Sequence, residues 1–405
     1  MQEVQDDVLL KDMESHTLSQ DEIEECVSTI IMVVWDDCNG ILHELKYEET
    51  WVDYIYEALC HVLPDEFDYY EDEIIDRTIE QLEEMIIPRS DKNHERVICS
   101  SEIEHRIEEL RKRNASLPKQ RTEEWYNLRH NILSASSIWK VLHTPSSLNQ
   151  YIYDKCKDYE KKGGVNIHSP LHWGVRYEPL AQMYYEDEFH TKIEEYGCLP
   201  HATYTFLGAS PDGINVDKTN TTRYGRLLEI KCIVNREITG IPKKEYWIQM
   251  QMQMECCNID QCDFLECRFK EYENETTFLE DSMDAENVML SKKGQRKGII
   301  LVFQENNNPL YEYMPLTCKT MKEFEEWQER IMKKHELLTW TNHIYWYLDQ
   351  VSCVLVERNT IWFWQHLDTF RDVFHMIQKE KKDNSYMLRK PKPRAKPKEN
   401  LIVID

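Results

Sequence analysis

Residues 206–233, FLGASPDGINVDKTNTTRYGRLLEIKCI, constrain the fold of this chain more than any other stretch. Ser210–Gly213 reads Ser-Pro-Asp-Gly, a strong turn signal that follows the strand-like Thr203–Gly208 and carries Asp212. Leu227–Ile233 is an apolar run broken only by Glu229 and Lys231, two residues apart. Strand side chains alternate between faces, so Glu229 and Lys231 project from the same side. Two neighbouring strands would then gather Asp212, Glu229 and Lys231. Paired carboxylates suit a hard divalent cation, and a lysine beside them can orient or deprotonate a water. The pattern is the outline of a metal-dependent phosphodiesterase site.

At 405 residues the chain has room for two or three domains, or for one large domain with additions. Its longest apolar candidate, Ile30–Trp35, is far too short for a membrane span and is followed by Asp36 and Asp37. The opening MQEVQDDVLLKDMES is acidic and unlike a signal peptide. Thirteen cysteines without such a signal predict free thiols in a reducing, intracellular setting. The net charge of −25 argues against nucleic acid only until it is mapped. Residues 1–118 hold 32 acidic and 10 basic side chains, a net −22, which leaves −3 for residues 119–405. A nearly neutral body can still carry a basic groove.

In chain order, residues 1–115 read as an acidic, mostly helical N-terminal region, either a solvated domain, a docking surface for a basic partner, or an acidic flap that competes with DNA for the groove. Arg111–Arg113 and Pro118 mark a boundary. In Arg121–Leu142, Ser134 or Ser136 can cap a helix running to Leu142, and that helix start beside Arg129 makes an anion pocket. Pro179 predicts a helix starting near Arg176–Pro179, with Glu178 in its first turn, as a dipole partner or a third carboxylate. In Lys243–Cys257, Tyr246, Met250, Met254 and Cys257 form one core-facing stripe, while Gln249 and Gln253 share another face. Cys262–Phe269 alternates like a strand, so strand, helix and strand form a crossover unit. Cys256, Cys257, Cys262 and Cys267 lack the paired spacing of a zinc site. Two further strands fall in 296–316, an amphipathic helix in Thr320–Leu338, and packed helices in the aromatic Ile344–Gln378. The tail, 381–405, is basic and proline-rich and is expected to be disordered.

Five blocks, in order, resemble one family. They are Trp125-x3-Arg129 with Leu133–Ser136, Trp173–Glu178 (WGVRYE), Ser210–Gly213, Leu228–Cys232 (LEIKC) and Gln249–Gln251 (QMQ). Together they are similar to the lambda-exonuclease-type nucleases, the YqaJ viral recombinase group of the PD-(D/E)XK superfamily. The resemblance covers about residues 119–270.

It implies an α/β fold, a restriction-endonuclease-like mixed central sheet flanked by helices, occupying 119–380 and preceded by the acidic helical region. By the resemblance, Asp212, Glu229, Glu178 and the carbonyl of Ile230 would bind Mg²⁺ or Mn²⁺. Lys231 would position and activate the water, and Gln249 would support the water or the scissile phosphate. Arg129, Ser136, Ser210, Arg236 and Gln251 would contact DNA or its 5′-phosphate. The implied activity is 5′→3′ exonuclease digestion of double-stranded DNA ends in viral recombination, repair or replication. Implied partners are DNA ends, a single-strand annealing protein and, by analogy with the phage enzyme, two further copies in a trimer. The implied setting is a viral factory in the host cytoplasm, or the nucleus. A structure-specific endonuclease and a partner-binding protein of the same fold are the alternatives. Sixteen residues separate Asp212 from Glu229, a longer hairpin than in the phage enzyme, and Ile233 replaces a proline frequent after LEIKC.

Overall fold

The computed structural model describes residues 18–38, 47–63, 67, 70–85, 100–158, 167, 169–284, 286–306 and 308–390. Its centre is a seven-stranded mixed sheet in the order β2-β5-β6-β7-β10-β8-β9. The strands are β2 (Ile193–Glu194), β5 (Gly213–Asn215), β6 (Leu227–Cys232), β7 (Gln261–Glu271), β8 (Lys297–Glu305), β9 (Asn308–Tyr313) and β10 (Thr339–Glu357). Among the described strands of this sheet only β6 and β7 run parallel, joined by the helix Lys244–Cys257, while its other pairs are antiparallel. That is the crossover read from the sequence, and the expected mixed sheet flanked by helices is present. A small second sheet, β1 (Leu133–Ser134), β4 (Leu207–Ala209) and β3 (Leu199–Pro200), sits beside it.

Alternation along the parallel pair sorts side chains to two cores. Leu227, Cys262 and Phe264 pack with the helix Lys244–Cys257 and with Thr360–Asp383, while Leu228, Ile230, Leu265 and Cys267 pack with Pro170–Glu188 on the other face. Glu229 and Lys231 therefore share the face of Leu227, beneath Lys244–Cys257. Numbering helices in chain order, α1 is Gln20–Cys38, α2 Tyr47–Val62, α3 Glu71–Met85, α4 Ser100–Asn114, α5 Glu123–Asn131 and α6 Ala135–Ile138. Then come α7 Pro145–Cys156, α8 Pro170–Glu188, α9 Lys244–Cys257, α10 Glu275–Glu280, α11 Met321–Lys334 and α12 Thr360–Asp383.

Helices α1–α3 form a unit with its own core. Ile23, Val27, Ile30 and Val34 make the inner stripe of α1 and meet Ile55 and Leu59 of α2 and Ile74 and Leu82 of α3. The fourth helix behaves differently. Ile107 and Leu110 of α4 lie in the core shared with the main sheet. Arg106 reaches the Asn258 carbonyl at 3.0 Å and Asp260 at 2.7 Å, and Arg111 pairs with Glu194 at 2.7 Å. Arg113 donates to the carbonyls of Pro200 and Cys256. In packing, then, α4 goes with the sheet and not with the acidic helices: two of the three basic residues read as a boundary, Arg111 and Arg113, anchor it there with Arg106, while Lys112 pairs with Glu109 within the helix.

Three other readings change. Pro179 lies inside α8, which starts at Pro170 behind the Ser169 cap, whose hydroxyl accepts the His172 amide at 3.1 Å. The aromatic run after Thr339 is a 19-residue strand, and only α12 is helical there. Burial of Ile344, Trp346, Leu348, Val354 and Val356 on alternate residues explains why. The helix also runs past 380 to Asp383, and Arg389 closes back on Glu380 at 2.6 Å and Asn149 at 3.0 Å. Residues 391–405, the rest of the tail, lie outside the described residues.

The long hairpin between Asp212 and Glu229 is anchored. Arg223 and Arg226 both pair with the buried Asp263, which also accepts the Tyr185 hydroxyl at 2.5 Å. Lys218 pairs with Glu104 of α4. Gly225 has φ +85°, and a side chain there would meet Ile103 at 2.2 Å. No described helix is long and apolar enough to cross a membrane. The eleven described cysteines are free thiols, and those of α9 and β7 are buried in the core.

Candidate active site

The turn and the strand bring their carboxylates together. The Asp212 amide donates to the Leu228 carbonyl at 3.1 Å, and its Oδ2 accepts the Ile230 amide at 2.7 Å. Strand β5 ends level with Leu228, so its turn replaces the ladder at Ile230. Along a strand, the amide and carbonyl of one residue face the same neighbour, so the Ile230 carbonyl also faces Asp212. On its other side, Gly213 lets β2 come close: a Cβ there would lie 2.0 Å from Ile193 Cγ2.

Glu229 is fully buried and surrounded by donors. Its Oε1 takes the Lys231 ammonium and the Gln249 amide at 2.7 Å. Its Oε2 takes the Gln253 amide at 2.6 Å, and the same amide reaches the Ser210 carbonyl at 3.3 Å. Gln253 thus ties the two carboxylate-bearing segments to one helix. Burial alone would lower Lys231, but the charges of Glu229 and Asp212 outweigh it and hold the ammonium above its ordinary range. Its Nζ also lies 5.0 Å above the Tyr246 ring. Burial first, then the charges of Glu229 and Glu178, push the Asp212 carboxyl well up.

Glu178 stands on α8, whose Tyr177, Leu180 and Ala181 belong to the opposite face. It faces Arg121, with Nη2 2.9 Å from Oε1, and its carboxyl is raised by burial, with Arg121 opposing and Glu229 adding. Arg121 has φ +67°, a left-handed conformation uncommon outside glycine. Strain of this kind gathers at functional sites.

Among the described residues, no three His, Cys, Asp or Glu side chains form a ready cation-binding cluster. Glu178 is drawn to Arg121 and Glu229 to Lys231, so of the three carboxylates Asp212 alone lacks a cationic partner among the described residues; with Glu229 and the Ile230 carbonyl it forms the candidate ligand set. That all-oxygen set suits a hard divalent cation, and the raised Asp212 carboxyl marks a shortage of positive charge. The residues present fit a magnesium- or manganese-like ion.

The residues expected to contact phosphate divide. Arg129 and Ser136 meet, Nη2 to Oγ at 2.6 Å, with the guanidinium 4.2 Å above the Trp125 ring. Burial lowers the Arg129 guanidinium, opposed by Cys198 and Tyr126 and, more weakly, by Glu229 and Asp212. Ser210 lies on the connection between β4 and β5, at the Gln253 contact. Helix α6 is only four residues long, and Ser134 precedes it without a capping bond, so the expected capped helix is absent there. Gln251 points elsewhere: it donates to the Glu357 carbonyl at 2.8 Å and accepts the Asn359 amide at 2.6 Å, fastening β10 to α12. Two residues of helix turn it about 200° from Gln249. Arg236 pairs with the buried Glu266, which the sequence did not indicate, and so is spent on the fold.

Gln253 can be separated from Gln251 by mutation. Gln253→Leu strips a donor from buried Glu229 and is expected to cost about 1–3 kcal/mol of stability. It should also slow any cleavage by about 10–100-fold, the usual effect of losing a side chain that orients a ligand group. Gln251→Leu should lower stability and leave cleavage per folded molecule unchanged. Thermal melts and digestion rates on both proteins check this.

Residues 124–260 match the model of the YqaJ-like viral recombinase domain. An uncharacterised protein of Acanthamoeba polyphaga mimivirus is 29% identical over 316 residues, covering 66% of this chain and 57% of that protein. The chain therefore spans little more than half the length of that relative. Among solved structures, the alkaline exonuclease of Laribacter hongkongensis, alone and in complex with dAMP, is 19% identical with a TM-score of 0.38. Each comparison covers 66% of this chain and 98% of that one. A phage-related exonuclease from Haemophilus somnus is 12% identical, covers 65% and 98%, and has a TM-score of 0.33.

Proposed function

Because residues 124–260 carry a YqaJ-like viral recombinase domain, we propose that this chain is a divalent-metal-dependent deoxyribonuclease that digests double-stranded DNA ends 5′→3′. The observation that carries the reading is the convergence of Asp212, Glu229 and Lys231, with Glu229 held by two glutamine amides. A bound divalent cation would supply charge neutralisation on the phosphate and a more acidic water. Asp212, Glu229 and the Ile230 carbonyl would hold it, with Glu178 as the further carboxylate.

The rest of the chemistry belongs to the chain. Lys231 is charged, so it serves as a donor that orients the attacking water and faces the developing negative oxygens. Gln249 fixes the Glu229 carboxylate that holds Lys231 in place. Arg129 and Ser136 offer a guanidinium and a hydroxyl to a terminal phosphate, which favours attack counted from a 5′ end.

The test is a strand-resolved digestion of linear duplex carrying a 5′-phosphate and a 3′ label. The expected result is stepwise shortening from the 5′ end in Mg²⁺ or Mn²⁺, and none in a chelator. Early loss of the 3′ label, or equal cutting of covalently closed circles, overturns the exonuclease reading.

A further inference from the structure

Lys155, on α7, is remote in sequence from every motif above. Its Nζ donates to the carbonyls of Arg129 at 2.6 Å, Ile132 at 2.6 Å and His130 at 3.2 Å. These are carbonyls at the end of α5 and just beyond it, the groups a helix leaves unsatisfied at its C-terminus. An ammonium has three N–H donors, and all three are used here.

The charge balance is as informative as the geometry. Among the described residues, neither Lys155 nor Arg129 has a carboxylate within ion-pair distance. Burial and the neighbouring Arg129 bring the Lys155 ammonium down to about 7, and burial lowers Arg129 as well. Two inward cations without a counterion are costly unless an anion completes them. Arg129 already points at Ser136, on the open side of the pair.

We infer that Lys155 is a positioning residue for terminal-phosphate recognition: it clamps the backbone that carries Arg129, and a bound phosphate would hold it charged as a second positive group behind Arg129. With its three donors committed, Lys155 does not touch the phosphate, and it acts through Arg129. This rests on the reading that Arg129 and Ser136 receive a 5′-phosphate.

The experiment is fluorescence anisotropy on the full chain in a chelator, with two short duplexes that differ only in a 5′-phosphate or a 5′-hydroxyl. The parent should bind the phosphorylated end more tightly. Lys155→Met should lose about tenfold of that preference, the loss expected if the Arg129–phosphate contact is weakened by about one charge-assisted hydrogen bond, with hydroxyl-end binding unchanged. Lys155→Arg, which keeps charge and donors, should retain most of it. Lys155→Gln, which keeps two donors without the charge, stands in if the methionine variant does not fold. Parental preference in a folded Met or Gln variant overturns the inference. A parent without any preference overturns the 5′-phosphate reading itself.

Discussion

Replacing Lys231 with methionine is expected to slow DNA cleavage by about a thousandfold or more while duplex binding stays within a few-fold. The magnitude follows from removing one preorganised donor aimed at developing charge, typically about 10²–10³ in rate, and the water's orientation with it. Methionine keeps the approximate length and an apolar chain beside Tyr246 while deleting the ammonium, both its charge and its donors. Glu229 still has the amides of Gln249 and Gln253, so the fold should survive at a cost of about 1–3 kcal/mol. Glu229→Ala is the poorer test. It leaves Lys231 and two buried amides without their acceptor, and breaking a buried pair from that side costs about 3–5 kcal/mol. Loss of activity there would confound chemistry with unfolding. Digestion rates on 5′-phosphorylated duplex, beside melting curves for both variants, separate the two. Parental cleavage by folded Lys231→Met would remove Lys231 from the chemistry.

The centre of the site was legible because two short-range rules coincide there. Alternation placed Glu229 and Lys231 on one face, and the turn signal in Ser210–Gly213 placed Asp212 at a strand end; both hold in the structure. What escaped the sequence depends on partners far along the chain. Arg236 lies close after the lysine strand, yet a buried glutamate 30 residues on claims it. Lys155 acts on carbonyls more than twenty residues earlier, and no local pattern marks it. The glutamines of α9 are a different case. Helical rotation alone separates Gln251 from Gln249 and Gln253, so the assignment of Gln251 to DNA followed the motif where the geometry pointed the other way. The aromatic run of β10 was misread for a similar reason, since residue type outweighed the two-residue period of its buried positions. For α4, a basic triplet resembled a linker, and only packing shows Arg106, Arg111 and Arg113 of that helix reaching Asp260, Glu194 and three carbonyls.

Asp212→Asn is expected to abolish cleavage and, without metal, to make the protein more stable, by about 0.5–2 kcal/mol at pH 8. In the parent, burial and the charges of Glu229 and Glu178 raise the Asp212 carboxyl well above its unfolded value. Between those two values the folded state holds a proton that the unfolded chain has released. Stability then falls as pH rises, since its slope follows protons bound unfolded minus folded. The contribution of Asp212 is complete below the unfolded value and lost as pH climbs through the folded one. Asparagine can still accept the Ile230 amide through its side-chain oxygen, but it carries no charge to repel Glu229. The difference in melting temperature between variant and parent should therefore be small in acid and widen toward pH 8. Mg²⁺ should raise the parent's melting temperature, because a ligand bound only to the folded state stabilises it, and should barely move the variant's. Melting curves for both proteins from pH 5 to pH 8, in a chelator and in Mg²⁺, read all of this together. A parent that outlasts the variant at pH 8 in the chelator would mean that the two carboxylates do not oppose each other. The case for a cation between them would then lose its electrostatic basis.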